Sequence, residues 1–475
     1  MKVLYAAAEA TPFIKVGGLG DVMGGLPKAL CELGVDARVI LPLYSKIKDK
    51  YIDQLEFIAD IGIPLGWRMC YCGIFKAEIG KVIYYFIDNE LFFKRDNVYG
   101  EFDDAERFAF FSKAVLEALP HVDFYPDVIN ANDWHTAMVP LYLNAFYRNI
   151  PEYMFIKTVL SIHNIEFQGQ YDPLIMGNVF GLDVSYREIM MYDDCLNVLK
   201  AGIESANLVT TVSETYAKEI LDPYFSHNLH NILIPRQYKL KGIINGIDTE
   251  VFNPKTDKAL PYHYDYSSIR MKSMNKTALQ KELGLEVDAK KPIIGMVTRL
   301  TPQKGLDLVR EAMSELTKHD VQIVILGTGY PEYEECFRYW ENVCHDKVRA
   351  IIKFSGELAS KIYSAADLFL MPSHAEPCGL AQMISMRYGT IPIVHTVGGL
   401  KDSVTPYNPE TKEGNGLTFQ SYNAWDMYDA IMRGLELYHD KNHWRALRKN
   451  AMNTDFSWEN SAKIYKQTYE DLLNQ

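Results

Sequence analysis

Apolar residues fall into short continuous runs that alternate with longer segments of helical spacing. Near the start, the run KVLYAA is followed by a loop and then by DVMGGLPKALCELG, in which Val22, Leu26 and Leu30 recur before Gly34. Continuous apolar runs are typical of strands buried on both faces of a sheet, and a glycine after the last apolar position commonly ends a helix. The pattern therefore predicts a strand, a helix ending at Gly34 and a second strand in DARVILPLY.

The alternation of strands and helices continues to about residue 248 and returns after residue 291. Later strand-like runs are KVIYYFID, DVINAND, FIKTVLSIHN, ANLVTTVS and GIINGID, and then PIIGMVTR, VQIVILG, AIIKFSG, DLFLMPS and IPIVHTVGG. Strands that alternate with helices favour a mostly parallel sheet covered by helices on both faces. Two such series in 475 residues predict two α/β domains.

The segment between the two series has a different composition. It is rich in Pro, Asp, Ser and aromatic residues without a period, and ends in the helix-like stretch MNKTALQKELG. We predict an N-terminal Rossmann-like domain at 1–250, a connection at 251–291 and a C-terminal Rossmann-like domain at 292–456. The amphipathic tail at 457–475 is expected to form a last helix that joins the N-terminal domain.

Composition and charge narrow the classes of partner. The formal net charge of −12 argues against a nucleic-acid partner, because no basic patch offsets it. No apolar stretch approaches the ~20 residues of a membrane helix, and MKVLYAAAEA lacks the features of a signal peptide. The seven scattered cysteines, of which only Cys70 and Cys72 lie close together, favour reduced thiols in a cytoplasmic enzyme. Because the chain is negatively charged overall, an anionic ligand must be bound by isolated lysines and arginines.

The loop IKVGGLGDVMGG has such a lysine beside its glycines. Successive glycine amides at a helix start form an anion site, and Lys15 next to Gly17 and Gly18 would suit a diphosphate. Asp21 could cap the helix. A dinucleotide-binding loop is disfavoured because Met23 stands where a third glycine is needed. A purely structural glycine turn stays open.

The second domain has comparable loops after its strands. Arg299 and Lys304 lie five residues apart in VTRLTPQKGLDLV, where they could clamp two phosphates, or could simply be solvated charges. LGTGYPEYEE repeats the strand–glycine–helix form at Gly327. Glu376 follows the strand DLFLMPS and could orient sugar hydroxyls or cap a helix. The amides of Cys378, Gly379 and Leu380 follow it.

Two polar strand ends complete the candidates in the first domain. Asp133 and Trp134 follow one strand in NANDWHTAM, and His163 and Asn164 follow the next in SIHNIEFQGQ. A lone histidine is more often a satisfied core residue, but two histidine-containing strand ends favour a site. The chain has no D-x-D or G-x-S-x-G motif. Metal dependence and Ser-His-Asp hydrolysis are therefore not expected.

Taken in order, these motifs resemble bacterial glycogen synthases and plant starch synthases. The resemblance spans the chain and is carried by KVGGLGDV, NDWH, HN, NGID, TRLTPQKGLD, LGTG, EPCGL and FSWE. It implies the GT-B fold, with two doubly wound Rossmann-like domains facing each other across a deep cleft. It also implies retaining transfer of glucose from ADP-glucose to the non-reducing end of an α-1,4-glucan, with ADP released and no metal or other cofactor.

The resemblance assigns roles to individual residues. Lys15 and the Gly17 and Gly18 amides resemble the family's donor-phosphate site. Arg299 and Lys304 resemble the two cations that bind the departing diphosphate. Glu376, with the amides that follow it, resembles the group that holds the glucose hydroxyls. The other site residues that the sequence points to are Asp21, Asp133, Trp134, His163, Asn164, Tyr171, Asn245, Gly327, Cys378, Gly379 and Leu380.

Within that group of candidates, His163 resembles the histidine against the sugar, Asp133 an acidic residue of the same pocket and Asn245 a further donor contact. Trp134 and Tyr171 are expected to stack on sugar rings. Ile384 stands where many related retaining transferases have a second carboxylate, so ribose recognition has no assigned residue. Open alternatives are a retaining transferase that uses UDP-glucose or another acceptor, an inert glucan-binding protein and a glycoside hydrolase.

Overall fold

The computed structural model describes all residues from Met1 to Gln475 and divides into two compact units. Unit 1 comprises Met1–Gly246 together with Trp458–Gln475, and unit 2 comprises Ile247–Ser457. No helix is both long and apolar enough to cross a membrane.

Unit 1 is built on a nine-stranded sheet with a small three-stranded sheet beside it. Its strands are β1 Lys2–Ala6, β2 Asp36–Pro42, β3 Glu56–Leu65, β4 Arg68–Ile79, β5 Val82–Asp88, β6 Val128–Asn132, β7 Lys157–Ile162, β8 Gln170–Tyr171, β9 Met191–Tyr192, β10 Cys195–Asn197, β11 Leu208–Thr211 and β12 Leu240–Gly242. Its helices before the tail are α1 Gly18–Glu32, α2 Ser45–Tyr51, α3 Glu90–Phe93, α4 Asp104–Glu117, α5 Met138–Tyr142, α6 Ile175–Asn178, α7 Arg187–Met190, α8 Val198–Ser205, α9 Glu214–Glu219 and α10 His230–Leu233.

The large sheet of unit 1 has the order β12-β11-β7-β6-β1-β2-β5-β4-β3. Its strands pair in parallel from β12 to β5, whereas β3 and β4 add an antiparallel edge. The chain runs from β1 to β2 on one side and continues with β6 on the other. The loops after β1 and β6 therefore lie at the point where the strand order reverses, which is where open α/β sheets bind ligands.

Local sequence explains how α1 ends and how the tail docks. Gly34 has a φ of +80°, and the backbone N–H of Val35 donates to the Leu30 carbonyl, so the predicted glycine stop is confirmed. The C-terminal helix Trp458–Leu473 packs on α1, where a Cβ on Gly25 would lie 2.1 Å from the Trp458 ring nitrogen. This close approach requires glycine in the middle of a helix.

Unit 2 contains one fully parallel sheet of order β15-β14-β13-β16-β17-β18. Its strands are β13 Ile293–Val297, β14 Gln322–Leu326, β15 Val348–Ile351, β16 Leu368–Met371, β17 Ile391–His395 and β18 Leu417–Phe419. Its helices are α11 Met271–Glu282, α12 Leu306–Leu316, α13 Pro331–Val343, α14 Gly356–Ala365, α15 Ala381–Arg387, α16 Gly398–Ser403, α17 Ala424–His439 and α18 Lys441–Asn453. The strand order reverses between β13 and β16, so the loops after these two strands are the expected ligand-binding edge.

Two sequence predictions differ from the structure. Residues 251–291 belong to unit 2 rather than to a separate connection, because Lys276 of α11 forms a buried ion pair with Asp367 at 2.6 Å and Lys272 donates to the Thr390 hydroxyl. The strand predicted in GIINGID is wrong beyond Gly242, where β12 ends. Only single apolar residues of that segment, such as Ile243, are buried there.

Candidate functional site

The loops after β13 and β16 bring a lysine and a glutamate together in unit 2. The Lys304 ammonium lies 3.0 and 2.7 Å from the two carboxylate oxygens of Glu376, although the residues are 72 positions apart in sequence. Both side chains are largely buried, with 15% and 9% of their surface exposed. A largely buried pair with two close contacts is far better ordered than a surface ion pair. Two candidate site residues thus form one unit.

Backbone geometry explains why Lys304 reaches this position. A short 3₁₀ turn at Pro302–Lys304 is followed by Gly305, whose φ of +68° is left-handed. A Cβ on Gly305 would lie 2.0 Å from the Pro372 carbonyl oxygen, so only glycine allows the two loops to approach. Ser373, in the same loop, donates its hydroxyl to Glu376 at 2.8 Å. The glutamate is therefore held on both sides.

Arg299 lies in the same loop as Lys304 but has a different environment. Its side chain is exposed and makes no ion pair. An exposed guanidinium can turn toward an anion without first breaking an internal contact. The loop thus carries one anchored cation and one available cation, which suits a ligand with two phosphate groups.

Glycines near this edge have packing roles that the sequence did not reveal. A Cβ on Gly327 would lie 1.8 Å from the Thr298 carbonyl, and one on Gly329 would lie 2.1 Å from the Leu300 carbonyl. These glycines let the loop after β14 lie against the loop after β13, where the Leu300 N–H donates to the Thr328 carbonyl at 2.9 Å. Their presence is explained without a nucleotide.

The segment after Glu376 turns directly into a helix. Gly379 has a φ of +69°, and α15 begins two residues later with Leu380 as its N-terminal boundary. The side-chain amide of Gln382 donates to the carbonyls of Cys378 and Gly379. The Gly379 and Leu380 amides make no hydrogen bond within the protein, so they stay available as donors at the helix start.

In unit 1, the glycine loop after β1 is organised by a residue that the sequence analysis missed. The Glu9 carboxylate accepts hydrogen bonds from the Val16 and Gly17 amides, the latter at 3.0 Å. Lys15 is paired with Asp21 of α1 at 2.7 Å. Of the two predicted anion-binding amides, that of Gly17 thus contacts an internal carboxylate, which supports its preference for negative charge. Glu9 could have been suspected because an acidic residue directly follows the apolar run of β1.

The loops after β6 and β7 meet at Asp133. Its carboxylate accepts from the His163 amide at 2.7 Å and the Asn164 amide at 3.4 Å, and its φ is +55°. Burial raises the pKa of Asp133 to about 7, although the two amide donors oppose this shift. Burial lowers the pKa of His163 to about 4, and Glu9 weakly opposes that shift. The imidazole is neutral at pH 7, and its Nε2 lies 2.9 Å from the Asn132 side-chain oxygen.

Two other predicted site residues of unit 1, Trp134 and Asn245, are buried. Trp134 has 8% of its surface exposed and packs against Phe108, Tyr171 and Gly169, so little of its ring can reach a sugar. Asn245 is buried and its side-chain oxygen has no hydrogen-bond partner. A buried, unsatisfied amide oxygen is uncommon and marks a place where a ligand could donate.

A prediction follows for Asp133. Its pKa is raised above the ordinary value near 3.9, so the charged form weakens folding above pH 7 and this penalty disappears below about pH 4. Asp133→Asn keeps an oxygen that can accept from the amides but has no charge. We expect this variant to be more stable than the native chain at pH 8, by roughly 2–4 kcal/mol, and equally stable at pH 4.

Urea unfolding followed by tryptophan fluorescence at the two pH values would measure this difference. The matched control is Asp49→Asn, which removes an exposed aspartate and should change neither midpoint. Equal stabilisation by Asp133→Asn at both pH values would show that the buried charge is not the cause.

Comparison with known proteins identifies the family. The starch synthase catalytic domain model matches residues 2–235, and the glycosyl transferases group 1 model matches residues 280–454. The chain is 49% identical over its full length to the glycogen synthases of Clostridium beijerinckii and Bacillus anthracis, and covers 100% of both relatives.

Solved structures agree with these matches. The catalytic domain of starch synthase IV from Arabidopsis thaliana, bound to ADP and acarbose, superposes with a TM-score of 0.92 at 36% identity, covering 100% of this chain and 99% of that one. Sucrose-phosphate synthase from Thermosynechococcus elongatus, with a TM-score of 0.63 at 19% identity and coverage of 100% and 99%, shares the fold. The predicted GT-B fold class is confirmed. The chain belongs to the family of glycogen and starch synthases, which are glycosyltransferases.

Proposed function

We propose that the chain transfers glucose from ADP-glucose to the non-reducing end of an α-1,4-glucan, with retention of configuration and release of ADP. The observation that carries this proposal is the largely buried Lys304–Glu376 pair beside the exposed Arg299, at the ligand-binding edge of unit 2. The similar starch synthase was solved with ADP and acarbose, which supports a nucleoside diphosphate as one ligand and an oligosaccharide as the other.

The two cations share one task in this proposal. Negative charge grows on the diphosphate as its bond to glucose breaks, and Lys304 and Arg299 stabilise that charge. Fixed positive groups at a leaving group act more strongly in the transition state than in the ground state. They also supply the charge that a divalent ion would otherwise provide, so no metal or cofactor is proposed.

Glu376 binds the donor sugar. A carboxylate accepts hydrogen bonds from hydroxyls, and Ser373 holds its orientation. The amides of Cys378, Gly379 and Leu380 are proposed to add donors on the same side. When the donor binds, Lys304 exchanges part of its contact with Glu376 for the phosphate oxygens. The ion pair keeps both groups in place before that exchange.

Residues of unit 1 are proposed to complete donor and acceptor binding. Lys15 and the Gly17 and Gly18 amides would contact phosphate; the Gly17 amide already donates to a carboxylate, that of Glu9. His163 is neutral at pH 7 and could donate to or accept from the sugar without adding charge. The remaining proposed contacts are Asp21, Asp133, Asn164, Tyr171 and Asn245. Trp134 and Gly327 are not among them, because both have packing roles in the structure.

A comparison of donors tests the proposal. The protein is incubated with glycogen and either ADP-glucose or UDP-glucose, and the released diphosphate and the glucan-bound glucose are both measured. We expect equal amounts of ADP and transferred glucose, and much slower turnover of UDP-glucose. Faster turnover of UDP-glucose would favour the alternative donor, and no release from either would contradict the proposal.

We also propose a cytoplasmic location. All seven cysteines are free thiols in the structure. Reduced thiols are typical of proteins that work inside the cell.

A further inference from the structure

His395 ends β17 and joins the loops on either side of that strand. We propose that His395 is a positioning residue that, as a cation, fixes the Glu376 loop and makes donor binding depend on pH. The inference rests on the proposed function in treating Glu376 as a donor contact. Its geometric basis lies in unit 2 alone.

Both ring nitrogens of His395 face carbonyl oxygens. Nδ1 lies 2.8 Å from the Ser373 carbonyl oxygen, and Nε2 lies 3.1 Å from the Gln420 carbonyl oxygen. A carbonyl oxygen can only accept, so both nitrogens must carry hydrogen to make both bonds. Only the imidazolium form does so. In either neutral tautomer, one nitrogen lone pair would face a carbonyl lone pair.

The two carbonyls belong to different loops. Ser373 follows β16, and Gln420 follows β18, so the imidazolium links the carboxyl ends of the strands that flank β17. Ser373 is 2% exposed and its hydroxyl donates to Glu376 at 2.8 Å. His395 therefore acts on Glu376 through one residue. Loss of the ring proton breaks one of the two links and loosens this support.

Charged and titratable groups of both signs lie around His395. Glu376 lies beyond Ser373, and Asp307 of α12 accepts from the Tyr422 hydroxyl at 2.6 Å, with the Tyr422 ring 5.5 Å from His395. Lys304 and His374 oppose the charge. Lys304 is already paired with Glu376, and the pKa of His374 is lowered first by burial and then by the charge on His395.

Packing keeps the ring in place. The Phe419 ring of β18 stacks on the imidazole with a centroid distance of 5.3 Å and an interplanar angle of 25°, and His395 is only 6% exposed. The ring therefore cannot turn to water when it loses its proton. Deprotonation acts on the two loops themselves, and the expected effect appears as pH rises.

The test is the pH dependence of the KM for ADP-glucose between pH 6 and pH 9 in the full chain. In the native chain we expect KM to rise by about fivefold with pH, the effect of losing one hydrogen bond. His395→Arg keeps a charge and donors at every pH, so its KM should stay nearly constant. His395→Gln should show a raised KM at every pH. His345→Gln, which replaces an exposed histidine of unit 2 away from the two loops, is the control and should keep the native dependence.

Nitrogen NMR of histidine-labelled protein at pH 6 gives a readout that needs no turnover. The native signals that disappear in His395→Gln belong to His395. Their chemical shifts should show that both ring nitrogens are protonated. An unprotonated nitrogen at pH 6, or a native pH dependence in both His395 variants, would overturn the inference. A native chain that does not use ADP-glucose would count against the proposed function instead, and the NMR result would still decide the protonation of His395.

Discussion

Replacing Lys304 with alanine should lower kcat by roughly 100- to 1000-fold and leave the KM for glycogen nearly unchanged. The reason is that the ammonium stabilises charge that appears on the diphosphate only as the glycosidic bond breaks. The glucan makes no use of this group, so acceptor binding should not suffer. Steady-state rates of ADP release, with each substrate varied in turn, measure both quantities.

Lys318→Ala is the matched control for this substitution. Lys304 lies just before helix α12, and Lys318 lies just after it. Lys318 forms an exposed pair with Glu315 at 2.6 Å, so its loss should leave the rates unchanged. If Lys304→Ala weakened glycogen binding as much as it lowered turnover, the role at the leaving group would be wrong.

Glu376→Gln should lower kcat/KM for the donor by roughly 100-fold. Glutamine has nearly the same shape and can still accept from Ser373, but it has no charge to hold the sugar hydroxyls or the Lys304 ammonium. Because the two side chains act as one unit, the double variant Lys304→Ala/Glu376→Gln should lose less than the product of the single losses. The three variants and the native chain form one double-mutant cycle on kcat/KM.

The exposed pair Lys318–Glu315 provides the comparison cycle, with Lys318→Ala and Glu315→Gln. It should show almost no coupling, since exposed pairs contribute little. Coupling at Lys304 and Glu376 no larger than in this cycle would mean that the buried pair does not act as a unit.

Much of the fold could be predicted because buried parallel strands are continuous apolar runs. β1, β13 and β16 were found in this way, since nearly every residue of such a strand is buried. The hairpin of β3 and β4 was missed, because an edge of the sheet is partly exposed and mixes apolar with polar letters. Residues 251–291 were misassigned because buried lysines, such as Lys276, resemble surface positions until their partner Asp367 is known.

The site was predictable to a similar extent. Strand-end loops with unusual residues pointed to Lys304, Glu376 and Asp133. The pairing of Lys304 with Glu376 depends on the order of strands in the sheet, which brings the ends of β13 and β16 together. That strand order cannot be inferred from the pattern of apolar and polar residues. Glu9 and His395 were missed because each acts only through backbone groups, Glu9 through amides of its own loop and His395 through carbonyls of two other loops.

The most direct test of the central claim is a crystal structure of the full chain with ADP bound. The account predicts that the diphosphate lies within hydrogen-bond distance of the Lys304 ammonium and the Arg299 guanidinium, at the carboxyl end of the sheet in unit 2. An ADP molecule bound elsewhere, with Lys304 still paired to Glu376 and Arg299 directed into solvent, would contradict it.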